Sequence, residues 1–105
     1  MKYPILGYDE SNIFCEDAPD QKMEIPFSEI VKISGYKLDC IESVKTVLEV
    51  EHESGHFMEF YDDWIGFELV VSEITKRFNL HSNWLSSLGD LDVKADPITV
   101  WQREK

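Results

Sequence analysis

Between Val44 and His52 apolar and polar residues alternate. Val44, Thr46, Leu48 and Val50 fall on one side and Lys45, Glu49 and Glu51 on the other, with Val47 as the exception. A period of two is the signature of a half-buried strand. The alternation resumes at Met58 and Phe60. Glu53-Ser54-Gly55 between the two runs reads as a three-residue hairpin loop, with Gly55 in the left-handed position that closes it. That loop pairs His52 with His56, Val50 with Met58 and Leu48 with Phe60. On the other face it pairs Val47 with Tyr61, Glu49 with Glu59 and Glu51 with Phe57. A two-residue loop sets Val50 against Glu59 and mixes the faces, so the three-residue loop is preferred.

After the hairpin the period changes. Phe67, Val70, Val71, Ile74 and Phe78 recur as one helical face, and Asp62 or Asp63 is placed to cap its start. Glu68 and Glu73 near the front and Lys76 and Arg77 at the back suit the helix dipole. Upstream, residues 3–8 and 12–15 flank Asp9-Glu10-Ser11 as an amino-terminal hairpin. Glu16-Asp17-Ala18-Pro19-Asp20 reads as an exposed acidic loop. Val31 and Ile33 predict a strand over 29–34, with Gly35 bulging or ending it and 36–41 continuing as an edge strand. Downstream, Ser82 caps and Gly89 ends a short helix whose Trp84, Leu85 and Leu88 cover the core. Residues 98–103 form a last strand. The predicted fold is α+β: an antiparallel sheet of about five to seven strands, with a central hairpin at 44–61, packed by one main helix at about 63–78.

Composition narrows the function. The chain has 105 residues, which fits a single domain spanning 1–105, and 43% of them are hydrophobic. Ten basic residues stand against 21 acidic ones, a net charge of −11. Polyanions such as nucleic acid or an anionic membrane are therefore excluded as direct partners, and a basic protein is favoured. No run of 18 apolar residues and no signal-peptide pattern is present, so the expected location is cytoplasmic. Cys15 and Cys40 are expected as reduced thiols.

His52-Glu53-Ser54-Gly55-His56 spells H-E-x-x-H, the signature of zinc-dependent hydrolases. That chemistry needs a helix, which puts both imidazoles on one face and aims the glutamate at a metal-bound water. Here strands flank the motif and Ser54-Gly55 favours a turn. The expectation is no enzyme, no metal and no cofactor; a hydrolase using His52, Glu53 and His56 is a remote alternative.

Two stretches, Asp9–Asp20 and Glu49–Glu73, hold 13 of the 21 acids and no Lys or Arg. Their outward residues are the expected partner-binding set: Asp9, Glu10, Glu16, Asp17, Glu49, Glu51, Glu59, Tyr61, Asp62 and Asp63. Phe57, Tyr61 and Trp64 supply aromatic anchors in the second stretch. In size, charge and the strand–strand–helix centre from Leu48 to Phe78 with its closing Val100-Trp101 strand, the chain resembles small acidic bacterial immunity proteins. These include those of contact-dependent growth inhibition and related polymorphic toxin systems. The resemblance implies a cytoplasmic inhibitor that binds one basic toxin, often a nuclease, and occludes its active site. The alternative is a protein-binding regulatory module of pleckstrin-homology-like outline.

Overall fold

The hairpin at the centre closes in the register the alternation requires. The computed structural model describes residues 4–103. Its strands are β1 (Ile5–Tyr8), β2 (Asn12–Ala18), β3 (Gln21–Pro26), β4 (Ile30–Cys40), β5 (Ser43–His52), β6 (Phe57–Tyr61) and β7 (Ile98–Gln102). Its helices are α1 (Phe67–Arg77) and α2 (Trp84–Gly89), and Phe27–Glu29 makes one 3-10 turn. β5 and β6 pair Val47 with Tyr61, Leu48 with Phe60, Glu49 with Glu59, Val50 with Met58 and Glu51 with Phe57. The His52 N–H donates to the His56 carbonyl at 2.8 Å, and Gly55 turns the chain at φ +94°.

The seven strands divide into two antiparallel sheets, β1-β2-β3 and β6-β5-β4-β7. One hydrophobic core draws on both sheets and both helices. Leu48, Val50, Phe60, Val70 and Ile74 are buried in it as expected. Phe78 is half-buried, its ring 4.5 Å from that of Trp101 and 6.4 Å from that of Phe27. Val44, expected on the same face, lies beyond the core and is 51% exposed.

Four local expectations are corrected. Residues 16–20 are not a loop: β2 runs to Ala18, turns at Pro19-Asp20 with Asp20 at φ +69°, and returns as β3. Residues 30–40 form one strand, not two, and it is interior to its sheet. Gly35 sits inside it because a Cβ there would lie 2.4 Å from the Leu88 side chain, so α2 packs against bare backbone. Neither Asp62 nor Asp63 caps α1. Its N-cap is Gly66 at φ +88°, where a Cβ would lie 2.0 Å from the Leu6 carbonyl oxygen. The glycine lets β1 close on this corner, and the Leu6 N–H donates to the Ile65 carbonyl at 2.7 Å. Ser82 does not cap α2; its N-cap is Asn83, with no side-chain capping bond.

Candidate partner-binding face

Strand alternation turns one side of β6-β5-β4-β7 to the core and leaves the other facing out. Register builds the outward side in rows. Phe57, Glu51 and Lys32 form one; Glu59, Glu49, Ser34 and Thr99 the next; Tyr61, Val47 and Tyr36 the third. Val47, the exception to the alternation, is fully buried although it points outward. Tyr36 and Tyr61 flank it in register, and Tyr61 stacks on Trp64 with centroids 5.2 Å apart. The face therefore carries a small apolar patch of its own.

Next to that patch sit the acids. Glu49 and Glu59 are direct cross-strand neighbours, as expected. Like charges so placed destabilise a sheet by a few tenths of a kcal/mol, up to about 1. The Tyr36 hydroxyl donates to the Glu59 carboxylate. Burial, and then that bond to the carboxylate, pushes the Tyr36 phenol well above its ordinary pKa and keeps it a donor. Glu51 lies across from Lys32. A shallow depression of about 200 Å³ opens here, lined by Lys32, Ser34, Glu49, Glu51, Phe57 and Pro97.

Of the other expected residues, Asp62, Asp63, Asp9 and Asp17 have structural partners. Asp62 accepts the Thr46 backbone N–H at 3.1 Å, tying the end of β6 to β5. Asp63 pairs with Lys45 at 2.8 Å, and Lys45 also lies over the Tyr61 ring. Asp9 accepts the N–H groups of Ser11 and Asn12, both at 2.8 Å, and so closes the β1–β2 turn. Those bonds hold its carboxyl below the usual range. Its carbonyl accepts from Arg77 at 3.2 Å. Glu10 is exposed in the same turn. Glu16 and Asp17 point to opposite sides of β2: Glu16 is opposite Lys22, and Asp17 accepts from the Cys15 thiol at 3.6 Å. Burial, then the Asp17 charge, pushes that thiol up to about 11. Glu49, Glu51, Glu59 and Tyr61 thus share one face, with Asp62 and Asp63 at its end. Asp9, Glu10, Glu16 and Asp17 belong to the other sheet.

The H-E-x-x-H segment is the hairpin turn. Nδ1 of His52 accepts the Ser54 N–H at 3.0 Å, which leaves Nε2 to donate to Glu29 at 2.5 Å. Glu53 pairs with Arg103 at 3.2 Å, and His56 is exposed. The helical geometry in which a glutamate faces a metal-bound water is not the geometry here. Among the described residues no group of three or more His, Cys, Asp or Glu is arranged to hold a metal ion. Nor, among them, is any helix long and apolar enough to cross a membrane.

Tyr36, Ser34 and Lys32 complete the face, and sequence reading did not select them. Their contribution depends on the β4–β5 register. Lys32, Ser34 and Tyr36 alternating against Ile33 and Gly35 is the signal that would have placed them outward. Compared with protein-family models, curated proteins and solved structures, the chain matches none.

Proposed function

We propose that this protein is an inhibitor of the immunity type, which holds a basic partner domain against the outward face of its four-stranded sheet. The observation that carries the reading is the Glu49–Glu59 pair, set side by side with Glu51 adjacent and Phe57, Tyr61 and Trp64 around it. The pair costs the free protein stability. A lysine or arginine of the partner, placed between the two carboxylates, converts that repulsion into charge-assisted hydrogen bonds. The aromatic side chains supply area that is lost to water on contact, and Phe57 is 55% exposed in the free protein. The net charge of −11 steers a basic partner toward the face and repels acidic competitors. A toxin domain that binds polyanionic nucleic acid has the required basic surface, and covering that surface blocks its substrate. A cytoplasmic location suits the free, buried Cys15 thiol.

The test is affinity capture from the native source with the wild-type chain and the variant E49K/E51K/E59K, followed by identification of the bound proteins. The expected result is a basic protein recovered by the wild type and lost with the variant, whose melting temperature stays close to wild type. Equal recovery by both chains would remove the face from the reading.

A further inference from the structure

β6 is the outermost strand of its sheet. Hydrogen-bonded pairs alternate along an antiparallel ladder. His52 with His56 is such a pair, and the Asp62 N–H donates to Thr46. Met58 and Phe60 therefore turn their peptide groups to β5. Phe57 and Glu59 turn theirs the other way, out of the sheet. Among the described residues nothing hydrogen-bonds the N–H or C=O of either one. Native edge strands are commonly protected by lysine, proline, a bulge or a covering element. Phe57-Met58-Glu59-Phe60-Tyr61 has no lysine and no proline, and pairs with β5 without a bulge.

Beside this edge lies a groove of about 240 Å³, lined by Phe57 and Met58, by Met23, Glu24 and Ile25 of β3, and by His52, Ser54 and His56 of the hairpin turn. β3 is itself the outermost strand of the first sheet, and Met23 is 54% exposed. The same parity holds there. The Phe27 N–H donates to Ser11, so Ile25 and Met23 face β2 while Glu24 turns its peptide groups outward. Two open strand edges thus border one groove, in which Met23, Ile25, Phe57 and Met58 supply the apolar lining.

We propose that β6 receives an extended segment of the basic partner as an added strand, with a lysine or arginine opposite Glu59 and apolar neighbours lodged in the groove. Recognition by strand addition takes affinity from the main chain and specificity from alternate side chains. The residue paired with Glu59 through its peptide groups projects on the outward face, beside Glu59 and Glu49. Its two neighbours project to the opposite side, against Met23, Ile25 and Met58. An alternating basic–apolar segment satisfies both. Charge decides against a second copy as occupant. Antiparallel β6–β6 pairing about Glu59 would set Glu59 against Glu59, between chains that each carry −11.

The inference rests on the acidic-face reading, and one set of measurements separates the two. The probe is an end-capped peptide of about nine residues, slightly longer than a common strand, alternating lysine with valine. A second peptide carries N-methyl groups at the lysines, which removes the edge-facing donors and keeps the charges. Phe57→Pro removes an outward N–H that the β5 ladder does not use, a position where proline is tolerated; Phe57→Ala is its control. The expected result is salt-sensitive binding that slows amide exchange at Phe57 and Glu59 by about tenfold or more. N-methylation, or Phe57→Pro relative to Phe57→Ala, should weaken it by about tenfold or more. Salt-sensitive binding indifferent to N-methylation and to proline, with no protection of those amides, overturns strand addition and leaves the acidic face standing. No binding at low salt overturns both. A dimer of the free chain with the same amides protected assigns the edge to a second copy and also overturns the proposal.

Discussion

The two acidic stretches differ in one respect: besides acids with structural partners, such as Glu53 with Arg103, Asp63 with Lys45 and Glu73 with Arg77, the second contains a pair of acids set against each other. In the first, Asp9 closes its own turn through two backbone N–H groups and Asp17 takes the Cys15 thiol. In the second, Glu49 and Glu59 face each other, and Glu51 and Glu59 project from a face that also carries exposed Phe57. Acids that serve a turn or accept a neighbouring hydrogen bond stabilise the fold where they sit. Acids set against each other do not: Glu59 accepts the Tyr36 hydroxyl, and the charge of Glu49 beside it stays opposed. The count of acids in a stretch does not separate these cases; the partner of each carboxylate does.

The sharpest way to break the contrast is to remove the support behind the second stretch. Phe60 backs β6 from the core side and is fully buried. Phe60→Ala should cost about 3–5 kcal/mol, read as a fall in the denaturant midpoint, and should take binding with it. An unchanged midpoint would show that the face assignment is wrong.

Charge reversal compares the stretches directly. Lysines at Glu49, Glu51 and Glu59 should slow association with the basic partner by about 10- to 1,000-fold, and lysines at Glu10, Glu16 and Asp17 should slow it far less. Stopped-flow measurements at rising salt should also show the wild-type rate falling toward that of the first variant. Equal slowing by the two sets would assign the effect to net charge alone.

A smaller effect separates the stretches by stability. Asp9 has its carboxyl lowered from an ordinary 3.8 by the Ser11 and Asn12 N–H groups. A depressed folded-state value contributes stability that is fully present above the unfolded value and lost as pH falls through the folded one. Asp9→Ala should therefore lower the melting temperature at neutral pH. The gap from wild type should be flat above about pH 5 and close progressively below about pH 4. A gap independent of pH would show that the carboxylate is not the stabilising group.

The smallest expected change has the opposite sign. Glu49→Gln removes one of two facing charges, so it should stabilise the free protein by a few tenths of a kcal/mol, up to about 1, while weakening partner binding. Thermal melts and titration of the same variant check both halves. Destabilisation would mean that the Glu49–Glu59 repulsion is relieved within the free chain.

The hairpin was legible in sequence because everything that specifies it is local: alternation on both flanks and a glycine at the one position requiring positive φ. The face of α1 was legible for the same reason. β3 was not, because Gln21, Lys22, Met23 and Glu24 are all exposed and show no apolar period; pairing with β2 makes that strand. The roles of Asp62 and Asp63 were misread because capping is a local rule, whereas their partners, Thr46 and Lys45, lie on a neighbouring strand. Gly35 looked like a break because the side chain that requires it, Leu88, comes from the other end of the chain. Glu49, Glu51 and Glu59 were selected correctly as outward acids. Tyr36, which bonds Glu59, became visible only with the sheet assembled.

Gly66 carries a consequence for the order in which the molecule assembles. The pairings within β1-β2-β3, and those joining β4, β5 and β6, link neighbours in sequence and close small loops. Seating the Leu6 carbonyl against Gly66 joins positions about sixty residues apart, and that loop closure is entropically costly until other contacts hold its ends. The amino-terminal meander is then expected to dock late, after the rate-limiting barrier. A substitution that spoils a late contact speeds unfolding and leaves the folding rate nearly unchanged. Gly66→Ala adds a Cβ where there is room only for the Leu6 backbone. Its denaturant-dependent kinetics should show the unfolding arm raised and the folding arm in place.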